Sequence, residues 1–105
     1  MTINIHSIHF HIDNNLEGFI EKKINKLLRL DNKIISSDVF LKLSKAESYS
    51  NKIAEIKLKY PGSEFFAKRK SDTFEESTNQ VFHALRKQIL KNKAKNKAKS
   101  NSLLG

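Results

Sequence analysis

The sequence predicts a single α+β domain of order β-α-β-β-β-α, a four-stranded sheet with two helices packed on one face, followed by a basic tail. Three observations carry that expectation. Two stretches place apolar residues at three- and four-residue spacing, and four others alternate with period two. The chain has 105 residues, enough for one hydrophobic core and short for two. The domain is expected over residues 1–92, with a Lys/Asn/Ala-rich tail over 93–105.

The chain opens as a strand. Ile3 and Ile5 alternate with polar residues, and Ile8, Phe10 and Ile12 then alternate in the opposite parity. Side chains in a strand point to alternate faces, so the switch near His6–Ser7 implies a bulge or bend. Asp13-Asn14-Asn15 offers helix N-caps, and Asn14 with Glu17 fits a capping box. Leu16, Phe19, Ile20, Ile24, Leu27 and Leu28 then form one helical stripe, with Lys22, Lys23, Lys26 and Arg29 off it. Asp31-Asn32-Lys33 ends this helix.

Three strands are expected next. Over 35–43, Val39, Leu41 and Leu43 share a parity, and the polar residues 44–51 read as a hairpin loop. Over 53–60, Ala54, Ile56, Leu58 and Tyr60 face one side, with Glu55, Lys57 and Lys59 on the other. Pro61-Gly62 is a turn, leading into a strand over 63–70 with Phe65, Phe66, Ala67 and the run Lys68-Arg69-Lys70. Phe66 is assigned to the core in preference to an exposed stacking role beside Lys68. Asp72 and Glu75 suggest a second cap. Phe74, Thr78, Val81, Leu85 and Ile89 then trace a second stripe, flanked by Ala84 and Gln88 and opposite His83, Arg86, Lys87 and Lys91. Beyond Asn92 no apolar stripe remains, so that segment is expected to stay helical on an anionic partner and to fray alone.

Charge narrows the function. The formal net charge is +9, and residues 1–76 hold 13 Lys/Arg and all 11 Asp/Glu. Residues 77–105 hold seven Lys/Arg (Lys93, Lys95, Lys97 and Lys99 in the tail) and no acid. A solubilising tail is the plain alternative, but such a like-charged block suits a polyanion. With no cysteine, disulfides, thiolate metal sites and cysteine nucleophiles are excluded. The glycines Gly18, Gly62 and Gly105 cannot make a phosphate loop, and no nucleophile elbow or carboxylate pair stands out. His9 and His11 would share a strand face near His6, but without a nearby carboxylate or thiolate they are taken as solvent-facing or incidental RNA contacts. No enzyme activity, metal, cofactor or small-molecule substrate is expected. Neither a secretory signal nor an apolar run of ~20 residues is present, so a cytoplasmic protein is expected. The candidate RNA-binding residues are Lys22, Lys23, Lys26, Arg29, Lys68, Arg69, Lys70, His83, Arg86, Lys87, Lys91, Lys93, Lys95 and Lys97.

Particular segments carry a resemblance: Ile3-Asn4-Ile5, Phe19 through Leu27, Ile34-Ile35-Ser36, Phe65-Phe66-Ala67, Asp72-Thr73-Phe74 and Arg86-Lys87-Gln88. Collinear over roughly residues 1–92, they make the chain similar to the short ribosome hibernation-promoting factors, the ribosome-associated inhibitor proteins. The resemblance implies binding to small-subunit rRNA and neighbouring ribosomal proteins. It also implies occupation of the mRNA channel and the tRNA A/P-site region of idle ribosomes, in competition with mRNA and tRNA. Long members add a domain that pairs ribosomes, so this chain is expected not to dimerise ribosomes alone. Ile8-His9 and the polar residues 75–79 depart from the family pattern. The rival expectation is a general double-stranded-RNA binder or ribosome assembly chaperone. A membrane-surface role is disfavoured because residues 90–102 lack a large apolar face.

Overall fold

The computed structural model describes the backbone of residues 2–8, 10–45 and 49–104, and side chains through residue 95. Its elements are β1 (Thr2–Ser7), α1 (Asn14–Leu30), β2 (Ser36–Leu43), β3 (Lys52–Tyr60), β4 (Ser63–Ser71) and α2 (Phe74–Leu104). They form one four-stranded sheet ordered β1-β2-β3-β4. β1 and β2 are parallel, as a helical crossover requires, and the two later pairings are antiparallel hairpins. The expected β-α-β-β-β-α order with both helices on one face is therefore the observed one.

Period two sorts the sheet. Val39 and Leu41, then Ala54, Ile56 and Leu58, then Phe65 and Ala67 point to one face and are buried. Over them lie Ile20, Ile24 and Leu27 of α1 and Val81, Leu85 and Ile89 of α2, all fully buried. Both helical stripes read from the sequence thus face the core, with Leu16 and Phe19 only partly buried against it. Phe82, outside the second stripe, is buried as well. The β3–β4 hairpin closes through Pro61-Gly62, where Gly62 takes φ +75°, a value that favours glycine.

Strand directions fix how the helices lie. β4 runs the same way as β1, so the helix that follows each one runs back in the same sense. Contacts bear this out: Lys23 meets the Phe82 ring, and further along Lys93 Nζ donates to the Leu30 carbonyl at 2.7 Å. The two helices are side by side and parallel.

Several expectations are corrected. The first strand stops at Ser7 and does not continue through a bulge to Ile12. Ile8 N–H still donates to the Leu41 carbonyl at 3.0 Å, but Phe10 and Ile12 turn inward from an irregular connection. Phe10 stacks on Phe74, centroids 4.8 Å apart. The parity switch thus marks departure from the sheet; a bulge and a connection covering the helix starts give the same apolar alternation. The N-cap of α1 is Asp13, not Asn14. It is extended (φ −85°, ψ 166°), and its carboxylate accepts the Leu16 N–H at 2.8 Å. At α2 the capping side chain is Thr73, whose Oγ1 accepts the Glu76 N–H at 3.1 Å. Asp72 instead accepts the Ser50 N–H (2.9 Å) and hydroxyl (2.8 Å), holding the end of the β2–β3 loop, where Ser50 takes φ 48°. Phe66 is not core: it is 47% exposed on the open sheet face. The proposed shared face of His9 and His11 falls on a residue outside the described ones. α2 itself continues past Asn92 to Leu104.

Candidate RNA-binding face

The helix layer turns most of the candidate cations outward. On α1, Lys22, Lys26 and Arg29 are exposed, whereas Lys23 is half-buried. The Lys23 ammonium lies 5.6 Å from the Phe19 ring centroid and 4.9 Å from that of Phe82, so its stem and charge bridge the helix seam. At 100° per residue, Lys26 and Lys22 follow Lys23 on the outward side of α1, while Glu21 falls on the flank away from α2. On α2, Phe82 and Lys93 both reach α1, and Arg86 lies within about 40° of them by the same geometry. Arg86 therefore stands beside the cations of α1 across the groove between the helices.

The opposite flank of α2 joins the edge of the sheet. Arg69, Gln80, His83, Ala84, Lys87 and Gln88 line one open cleft there. Arg69 has the inward parity of β4, but near the strand's end it is exposed beside α2. Gln88 bridges the two elements. Its Nε2 donates to the Phe66 carbonyl at 2.8 Å, and its Oε1 accepts the Phe66 N–H at 3.3 Å. One side-chain amide thus occupies both hydrogen-bonding groups of an edge-strand residue, covering part of that edge. Lys91 and Lys95, with Phe65, Gln88 and Asn92, line the neighbouring cleft.

Parallel helices also sort charge along the molecule. Asp13, Glu17 and Glu21 lie in or beside the first two turns of α1, and Asp72, Glu75 and Glu76 at the start of α2. From residue 22 to 30 of α1, and from residue 77 onward in α2, there is no acid. Side-by-side packing brings these two acid-free stretches together. The next acid, Asp31, is buried, with its carboxylate accepting the Lys33 N–H at 3.0 Å.

Not every candidate joins this face. Lys68 and Lys70 point from β4 to the open side of the sheet, away from both helices, so three consecutive cations are divided between two faces. Lys68 Nζ lies 3.5 Å from Glu55, which also takes Lys42 Nζ at 3.0 Å. The side chain of Lys97 lies outside the described residues. The candidate set omitted Lys42, Lys57 and Lys59, which share the open sheet face. Their outward parity in β2 and β3 was the available signal. Among the described residues no cluster of three metal-ligating side chains occurs, and no helix is long and apolar enough to cross a membrane.

Solved structures share this architecture. A ribosomal subunit interface protein from Coxiella burnetii is 27% identical, with a TM-score of 0.75, over 90% of this chain and 99% of that one. The N-terminal domain of Protein Y from Thermus thermophilus is 20% identical, with a TM-score of 0.72, over 85% of this chain and 96% of that one, a likeness of fold. No curated protein matches the sequence. Residues 3–97 match the family described as Sigma 54 modulation protein / S30EA ribosomal protein. With nearly its whole length matched, in the element order just described, the chain belongs to that family.

Proposed function

We propose that this protein is a ribosome-silencing factor: it binds the small subunit of idle ribosomes through its helix layer and blocks translation by occupancy. One observation carries the reading. The parallel helices set the acid-free stretches of α1 and α2 side by side, making a cationic surface from Lys22, Lys26, Arg29, Arg86 and their neighbours. Lysines and arginines on such a surface engage phosphates and position a protein without reading base sequence. Selectivity then comes from the shape of folded rRNA. The Coxiella relative is a ribosomal subunit interface protein, which agrees with a site between subunits. In this reading the helix layer lies against small-subunit rRNA, and the body of the domain fills the mRNA channel and the A/P-site region. Neighbouring ribosomal proteins complete the site, and the protein works in the cytoplasm, where ribosomes are.

Co-sedimentation with vacant small subunits, with and without prebound mRNA and initiator tRNA, tests this at physiological salt. Binding should be lost when the channel is filled. Binding indifferent to mRNA and tRNA, or equally strong on isolated duplex RNA, would overturn occlusion in favour of a general duplex-RNA binder or assembly chaperone.

A further inference from the structure

The open face of the sheet is not used by the helix layer, and its composition is unlike that of a merely solvated surface. Phe66 projects from β4 at 47% exposure, and Phe40 projects from β2, stacked on His6 with centroids 4.9 Å apart. The registers place Phe40 in one cross-strand row with Glu55 and Lys68, and Phe66 in the next row with Lys57 and Asp38. By sheet spacing the two rings stand roughly 12 Å apart, two strands over and one row along. Lys57 has no hydrogen-bond or ion-pair partner among the described residues and lies directly opposite Phe66. Three acids share this face: Glu55 is taken up by Lys42 and Lys68, Asp38 accepts the Asn4 side-chain amide at 3.1 Å, and Glu64 stands two residues before Phe66.

We propose that this face binds single-stranded RNA, with bases stacking on Phe66 and on the Phe40–His6 pair while Lys57 and Lys68 hold the backbone. Three features favour RNA over a protein partner. The rings are separated by charged side chains and do not merge into one apolar patch. Lysine is depleted from the cores of protein interfaces, whereas it serves phosphate directly. Aromatic rings on an open four-stranded sheet suit unpaired bases, which alone expose their faces for stacking. Phe66 is also held in advance. The Gln88 amide brackets its backbone N–H and carbonyl, so the ring is presented from a fixed strand and little order is lost on binding. This site is separate from the helix layer, and the protein would thereby hold folded RNA on one face and an unpaired strand on the other.

The chain contains no tryptophan, so a single one reports locally. Phe66→Trp is titrated with an eight-residue oligouridylate, with binding followed independently by the anisotropy of a labelled oligonucleotide. Emission should be quenched in step with binding. Phe66→Ala should bind roughly 5- to 150-fold more weakly, the loss of one stacked base. A Leu90→Trp reporter on the helix layer should stay silent. The proposal is overturned if the oligonucleotide does not bind, if emission of the Phe66→Trp variant is unchanged at saturation, or if the Leu90→Trp reporter is quenched instead. None of these outcomes alters small-subunit binding through the helix layer, so the two readings fail separately.

Discussion

Three cations on the shared surface, Lys26, Arg29 and Arg86, offer the sharpest perturbation of subunit binding. All are exposed and form no hydrogen bond or ion pair among the described residues, so their truncation removes charge without unpairing a partner. The triple variant Lys26→Ala, Arg29→Ala, Arg86→Ala should therefore fold normally, each change costing within about 0.5 kcal/mol. Its binding should differ in a particular way. Each phosphate contact contributes about −0.7 to −0.9 to the slope of log affinity against log salt, so losing three makes the slope shallower by about 2.1 to 2.7. Over a fourfold rise from 50 to 200 mM salt, the wild type should lose roughly twenty- to forty-fold more affinity than the variant. Co-sedimentation with vacant small subunits across that range gives both slopes. A folded variant with the wild-type slope would refute the assignment of these side chains to phosphate.

Two further predictions concern the scaffold. Gly18 is exposed within α1, and a Cβ built there meets nothing within 4 Å, so Gly18→Ala should stabilise the fold by about 1 kcal/mol. Thermal unfolding should shift upward by roughly 4–8 °C for a domain of this size, and an unchanged or lowered midpoint would contradict the open geometry. Gln88→Ala removes both bonds to the Phe66 backbone at a part-exposed site, a loss of about 1 kcal/mol in total. Amide exchange at Phe66 should accelerate about five-fold, and unchanged protection would show that the bracket contributes nothing in solution.

Much of the fold was legible because periodicity reports burial. Phe74, Thr78, Val81, Leu85 and Ile89 are all buried, as their spacing implied. The resemblance seen in the segments from Ile3 to Gln88 agrees with the family to which the chain belongs. What failed was local competition between equivalent residues. Asp13, Asn14 and Asn15 can each cap a helix, and only the backbone turn at Asp13 selects one. Asp72 looked like a cap because its distant partner, Ser50, is adjacent only in the folded chain. Phe65 and Phe66 are both large and apolar, yet adjacent strand residues cannot share a face. The burial of Phe65 and Ala67 decides the matter. The same rule divides Lys68 and Lys70 from Arg69. Convergence of the two helices was not visible in any segment, since it depends on β4 running parallel to β1.

That parallel arrangement joins stability to binding. A helix favours acids at its start and cations near its end, because its unpaired N–H and C=O groups carry opposite partial charge. In an antiparallel helix pair those preferences would mix the signs at each end of the molecule. Here both helices start at the same end, so Asp13, Glu17, Glu75 and Glu76 gather there, while Arg29 stands in the last turn of α1. At the two helix starts and at the end of α1, favourable helix electrostatics and an anion-seeking surface therefore require the same distribution of residues. Part of the cationic charge is nevertheless engaged internally: Lys93 already serves the last carbonyl of α1, and Lys23 sits over two aromatic rings. In the proposed reading, the side chains left for phosphate are those without such duties, Lys22, Lys26, Arg29, Arg86, Lys87, Lys91 and Lys95 among them. Substitution of Lys93 should therefore affect stability as well as binding, whereas substitution of Arg86 should affect binding alone.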